Sequence, residues 1–501
     1  MKRYFFTRRN GWLVVVTLLG LGGCESAKDV GIQPSGPYAN YAFDGPGGID
    51  PATGERYNEI EENPFVETVQ QAVSTFSIDA DGASYANVRR FLTANQKPPK
   101  DAIRTEELIN YFTYDYPQPT GVHPVGVDGE VSTCPWNAAN KLVRIGLRGK
   151  STPKAQLPAS NLVLLIDVSG SMSDANKLPL LKESLPLLVD ELRPQDRLAI
   201  VTYAGSAGVA LPATAGSDKA KINAAIAGLG AGGSTAGAQG ILTAYEIAGQ
   251  QFVKGGNNRV ILMTDGDFNV GPSSQKELVE LIEKKRESGI FLTVIGVGTG
   301  NLNDGMMEQV ANKGNGVYEY LDNLNQARKV FSHEFSKFYT VAKDVKIQVE
   351  FNPAVVKSYR LIGYENRKLN KEDFTDDKKD AGELNDGQTI TALYEITPVP
   401  NLHYEVALAF RIDFRYKFPD ADVSQALRLD ISDYQTPFAK ASENLRWAAA
   451  VTGYGLLLRD SRYKGTLSYD GVKGWAGAAR SLDPHDLRRE SLNLVDLASK
   501  R

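Results

Sequence analysis

From Asn161 to Phe338 the chain alternates apolar strands with amphipathic helices, and this constrains its fold more than any other feature. Leu162-Val163-Leu164-Leu165-Ile166 is apolar on both faces, as a strand in the middle of a parallel sheet must be. Leu178, Leu181, Leu185, Leu188 and Leu192 then recur at spacings of three and four, the apolar stripe of a helix. Leu198 to Tyr203, Val260 to Met263, Ile290 to Val297 and Val317 to Tyr320 read as further strands. Ala238, Ile241, Leu242, Tyr245 and Phe252 mark a helix between them, and Leu278, Leu281 and Ile282 mark another, ended by Ser288-Gly289. A last helix is expected from about Leu324 to Phe338. Strands and helices in this order imply right-handed crossovers and an open, mostly parallel sheet with helices on both faces.

In such a sheet, ligands bind beyond the carboxyl ends of the strands. Three polar stretches fall there: Asp167-Val168-Ser169-Gly170-Ser171 after the first strand, Gly232-Gly233-Ser234-Thr235 before a helix, and Thr264-Asp265-Gly266-Asp267 after a later strand. Carboxylates and hydroxyls at one edge make an all-oxygen site, suited to a hard cation such as Mg²⁺, with Mn²⁺ or Ca²⁺ as alternatives. The competing reading is structural, since an aspartate at a strand end can simply cap a loop or helix.

The flanks read differently. With 501 residues the chain has room for about three domains at ~150 residues each. Lys2, Arg3, Arg8 and Arg9 precede an apolar run from Trp12 to Leu21 and then Gly22-Gly23-Cys24, the pattern of a secretory signal. The run is too short to span ~30 Å of hydrocarbon as a helix, although a short uncleaved anchor is the alternative. Removing it takes away four positive charges and no acid, moving the formal net charge from −4 to −8. Residues 25 to 68 are rich in Gly, Pro, Asn, Asp and Glu and read as a flexible tether. Helical text follows at Ala86 to Leu92 and Glu106 to Phe112, then strands at Val125 to Val131 and Lys141 to Leu147. Beyond Thr340, strands are expected at Val345 to Phe351, Thr389 to Ile396 and Tyr404 to Phe414, with a charged loop between Lys368 and Asp386 and helices from Ser442. Strand bookkeeping places the 125–147 strands with those of 345–414 in one sandwich, into which the α/β domain is inserted. The chain thus divides into a leader (1–23), a tether (24–69), an N-terminal helical and β segment (70–158), the α/β domain (159–338) and a C-terminal β-rich domain ending in helices (339–501).

Two resemblances sharpen these readings. Leu21-Gly22-Gly23-Cys24 resembles the lipobox of bacterial lipoproteins, which implies a lipid on Cys24 and a place in the bacterial envelope. Glu25 after the cysteine points, by the same analogy, to the outer membrane facing the periplasm over the inner membrane. Asp167-x-Ser169-x-Ser171, Thr235 and Asp265 resemble the metal-ion-dependent adhesion site of von Willebrand factor type A domains. That resemblance implies that all five hold the cation, directly or through water, and that a partner protein's Glu or Asp completes its shell. Ser84-Tyr85-Ala86-Asn87-Val88-Arg89, Glu106 to Phe112, Cys134-Pro135-Trp136-Asn137, Leu361 to Arg367 and Leu457-Leu458-Arg459-Asp460-Ser461 are similar to the flanking regions of a bacterial family of type A lipoproteins. The match runs over roughly residues 70 to 500.

Other chemistries have little support. Lys and Arg form no basic stripe and the net charge is negative, so nucleic acid is not an expected partner. Gly296-x-Gly298-x-Gly300 lacks the dinucleotide spacing and reads as a tight turn. His123, His333, His403 and His485 are scattered, which gives zinc chemistry or a serine–histidine triad no frame. No catalytic residue is assigned. With Cys24 lipidated, Cys134 stands alone and reads as a small buried apolar residue, so no disulfide is expected. The function expected is a lipid-anchored envelope protein that grips an acidic partner through a cation. A metal-free scaffold is the alternative, and a hydrolase the third reading.

Overall fold

The computed structural model describes residues 53–78, 81–233, 237–266 and 275–501. Alternate residues of a strand face opposite sides of its sheet, so an uninterrupted apolar strand needs a core on each side. That is how Ser160–Asp167 sits: Leu162, Leu164 and Ile166 pack on one face with Leu181, Leu185, Leu188 and Phe331. Val163 and Leu165 pack on the other with Ile241, Tyr245, Ile282 and Val310. The sheet has six strands in the order Tyr318–Leu321, Phe291–Val297, Asn257–Thr264, Ser160–Asp167, Arg197–Tyr203 and Ala207–Ala215. The first five run parallel and the last is antiparallel to its neighbour. The fold class expected from the alternation is the one found.

Several elements differ from the sequence reading. The first helix is Leu178–Glu191; Leu192 lies beyond it with an extended ψ of 139°, because Pro194 follows and cannot continue the helical ladder. The helix Gly237–Gln250 leaves Leu242 exposed, and Phe252 is exposed beyond its end, so neither belongs to the apolar stripe. The last expected helix is three pieces: an α-turn at Leu324–Arg328, a π-segment at Lys329–His333 and a 3₁₀ turn at Phe335–Phe338. The widened turn is closed by Glu334 N donating to Lys329 O at 2.9 Å. The strand Ala207–Ala215 and the helices Lys219–Ala227 and Asp304–Lys313 carry no long apolar run and were not legible.

Strands from before and after the α/β domain build two facing sheets. One has the order Val66–Glu67, Val356–Ile362, Thr389–Pro398, Lys141–Gly149, Val125–Thr133. The other has the order Lys368–Leu369, Val73–Ser77, Thr340–Phe351, Ala407–Lys417, Gln425–Asp433, with Gly382–Asn385 added on Thr340–Phe351. Thr389–Pro398 therefore pairs directly with Lys141–Gly149, while Thr340–Phe351 and Ala407–Lys417 lie in the opposing sheet. Val143, Ile145 and Leu147 share a core with Ile347, Val349, Phe410 and Ile412. A separate helical core joins Ala83–Thr93 and Thr105–Asn110 to Glu443–Leu458, Tyr469–Gly477 and Leu487–Ser499 around Trp136 and Trp447. Cys134 is buried there, and burial pushes its thiol up to about 12.

The tether reading fails for residues 53–68. Glu55 and Tyr57 are buried, Arg56 N donates to Leu302 O at 2.8 Å, and Asn63 donates to Leu361 O and Gly363 O at 3.1 and 2.9 Å. Polar residues order here because a preformed surface satisfies them one by one, which composition alone does not reveal. Cys24 and the leader lie outside the described residues.

Candidate metal centre

Asp167 ends its strand at the middle of the sheet and is fully buried. The parallel register sets Ile166 beside Met263, so Asp167 and Thr264 are level and Asp265 lies one residue further at the same edge. Thr264 Oγ1 donates to Asp167 Oδ2 at 3.3 Å, and Ser169 N donates to Asp167 Oδ1 at 2.9 Å. Ser169 Oγ and Ser171 Oγ are 3.1 Å apart, and the Ser171 hydroxyl also reaches Asp265. The loop is tied down by Gly232 N to Val168 O at 2.7 Å and Gly170 N to Gly233 O at 3.0 Å. Asp167, Ser169, Ser171 and Asp265 are thus brought together. Thr235 lies outside the described residues.

Burial grades across the site. Both aspartates and Ser169 are buried, Ser171 is half-buried and Gly170 is exposed, so the hydroxyl side meets solvent. Burial raises the Asp167 carboxyl above its usual range; the Ser169 amide opposes this, and the charge on Asp265 adds to it. Asp265 suffers burial too, but hydrogen bonds with Asn301, Ser171 and Lys177 outweigh it and hold the carboxyl below its usual range. Two carboxylates with unlike affinities for protons, facing two hydroxyls, form a donor set that fits a hard divalent ion. Among the described residues no cluster of three His, Cys, Asp or Glu side chains offers a competing site.

Sequence reasoning missed Lys177. Its Nζ lies 3.0 Å from Asp265 Oδ2 and 3.2 Å from Asn301 Oδ1, and its side chain is only 5% exposed. Gly298, with φ +76°, makes room for it: a Cβ there would meet Lys177 Cγ and Cε at 2.5 Å. The Gly296-x-Gly298-x-Gly300 stretch is thus a turn that passes closely over the lysine. No spacing rule links residue 177 to residues 265, 298 and 301, so only the fold could show the pairing. With Lys177 counted, the site carries a net charge of about −1 before any metal binds.

The comparisons with known proteins follow the same lines. The family model described as von Willebrand factor type A domain matches residues 161–333, that described as von Willebrand factor matches 51–144, and that described as Uncharacterized protein YfbK, C-terminal matches 336–500. The chain is 43% identical over 469 residues to YfbK of Escherichia coli (strain K12), covering 88% of this chain and 81% of that one. It is 27% identical over 240 residues to protein sll0103 of Synechocystis, covering 46% of this chain and 55% of that one. Among solved structures it is similar to a von Willebrand factor type A protein from Catenulispora acidiphila, with 16% identity over 76% of this chain and 91% of that chain and a TM-score of 0.45.

Proposed function

Because the chain belongs to the bacterial family of von Willebrand factor type A proteins that includes YfbK of Escherichia coli, we propose that it binds a partner protein through one divalent cation. Asp167, Ser169, Ser171 and Asp265, with Thr235, would hold the ion, Mg²⁺ in the first instance. A cation there supplies positive charge that attracts a Glu or Asp carboxylate of the partner. The observation that carries the reading is the chain of oxygens from buried Asp167 through Ser169 and Ser171 to buried Asp265, graded outward to solvent. Lys177 strengthens the second half: its charge leaves the site with a net +1 once a divalent ion is present, which favours an anionic partner group.

No catalysis is assigned. Ser171 would need a base to act as a nucleophile, and His123 and His333 are engaged with Tyr416 and His485 instead. The second reading, a metal-free scaffold, is favoured by one observation: Lys177 already neutralises Asp265. Calorimetry separates the two. Mg²⁺ or Mn²⁺ should bind one site per chain, and Asp167→Ala should abolish the heat; no binding, or binding unchanged by the substitution, favours the scaffold.

The proposal includes a lipid on Cys24 that holds the protein in the envelope, at the outer membrane facing the periplasm. Among the described residues no helix is long and apolar enough to cross a membrane. Cys24→Ser should release the protein from the membrane fraction; a variant that stays bound speaks against the anchor.

A further inference from the structure

Gln425–Asp433 is the last strand of its sheet, paired on one side only with Ala407–Lys417. A free edge invites another strand unless something blocks it. Inward-pointing charge, proline and covering loops are the usual blocks. Here Leu427, Leu429 and Ile431 point inward to the sandwich core, and the strand holds no proline. Leu427 and Leu429 are only partly buried. With Val125, Val127, Ile412, Phe414 and residues 117–120 they line a groove of about 290 Å³, whose rim includes Arg428.

The outward side chains carry the argument. Arg428 and Asp430 are largely exposed and pair back to the neighbouring strand, Arg428 Nε with Asp413 Oδ1 at 2.5 Å and Arg411 Nε with Asp430 Oδ1 at 2.8 Å. Arg411 continues to Glu350 at 3.4 Å. We propose that this edge pairs antiparallel with the same edge of a second copy, about a twofold axis at Leu429. In that register Arg428 of each copy faces Asp430 of the other, Leu427 faces Ile431, and Leu429 faces itself. Each outward row then alternates in sign across both copies: Asp413, Arg428, then the second copy's Asp430, Arg411 and Glu350.

A shift of two residues either way destroys this. It sets Arg428 against Arg428, or Asp430 against Asp430, and like charges directly opposite each other repel. A shift of one puts the leucines on the charged face. The sequence Leu427-Arg428-Leu429-Asp430-Ile431 is therefore self-complementary in a single register. The same register brings the exposed Tyr434 of one copy to the end of the strand where the other copy exposes Val423.

The test uses the full chain with Cys24→Ser, in which the remaining cysteine, Cys134, is buried. Directly opposed residues of an antiparallel pair have Cα atoms ~4.5–5.5 Å apart, within the ~4.4–6.8 Å range of a disulfide. Adding Leu429→Cys should give a covalent dimer on mild oxidation, whereas Ser358→Cys, in the other sheet, should not. Sedimentation should show a concentration-dependent dimer for the parent chain. Arg428→Asp and Asp430→Arg should each lose self-association tenfold or more. Mixed together they should associate again, because the opposed rows are then complementary, a rescue that misfolding would not produce. A parent chain that stays monomeric at tens of micromolar without a Leu429→Cys crosslink overturns the proposal, as does a dimer that forms with neither crosslink nor rescue by mixing.

Discussion

Lys177 holds a position in the candidate centre that a second cation would have to contest. Its Nζ is hydrogen-bonded to both Asp265 and Asn301 and is shielded from solvent, so its charge is weakly screened. Removing the charge while keeping the chain length, as in Lys177→Met, should therefore tighten Mg²⁺ binding by about tenfold or more, equivalent to about 1.4 kcal/mol. Titration calorimetry on the two proteins measures this directly. Unchanged or weaker binding would place Lys177 in a purely structural role. The acidic partner should respond in the opposite sense, since Lys177→Met also lowers the net charge that draws it in. Cys134 makes a contrast at the same scale: it is buried beside Trp136 and burial raises its thiol to about 12, which disfavours the reactive thiolate.

One element departed from expectation at a cluster of charged side chains. Between Arg328 and Phe338 a regular helix gives way, and there the half-buried Glu334 meets Lys329 at 2.7 Å and Lys337 at 2.8 Å. Burial opposes the charge on Glu334, but the two ammonium groups outweigh it and hold the carboxyl at about 2. A group depressed from 4.5 to about 2 stabilises the fold above its ordinary value and loses that contribution as pH falls toward 2. The loss is on the order of 3 kcal/mol. Glu334→Gln should accordingly lower stability at pH 7, and the gap to the parent protein should close between about pH 4.5 and 2 in urea titrations. A gap independent of pH would show that shape, not charge, sets the broken helix.

The molecule as a whole is bound together by ionic clusters that cross its parts. Arg104, just before the helix Thr105–Asn110, pairs with Glu107 and, across to the α/β domain, with Asp304 and Glu308. Arg89 joins Asp322 of that domain to Glu490 of the C-terminal helix, at 2.5 and 2.9 Å. Arg104 is almost fully buried, so Arg104→Ala would remove the one cation that Glu107, Asp304 and Glu308 share, leaving Ser84, Asn87, Asn366 and Arg367 among their remaining partners. We expect a cost of about 3–5 kcal/mol in chemical denaturation, with the α/β domain and its flanks no longer unfolding together. A change below 1 kcal/mol, or a single transition of unchanged steepness, would show that the parts do not depend on this contact. The His333–His485 stack, at 3.7 Å between ring centres, adds a second bridge to the C-terminal region; scattered positions in sequence concealed it.

Periodicity and chemistry near in sequence were enough to read the parallel sheet, since a strand apolar on both faces has no other stable place. They were also enough to gather Asp167, Ser169, Ser171 and the stretch around Asp265 at one place, because strand ends in such a sheet converge at one edge; the choice of Asp265 rested on the resemblance to type A domains. The same reasoning could not see Lys177, the ordering of residues 53–68, or the broken helix at Lys329. Each of these depends on partners far away in sequence, 88 residues for Lys177 and Asp265 and 298 for Asn63 and Leu361, or on a polar group set against a surface that exists only after folding. Local pattern determined which elements form and where the oxygens gather. Tertiary structure alone decided which charges meet, because desolvation makes a buried charge find a partner wherever the chain happens to bring one.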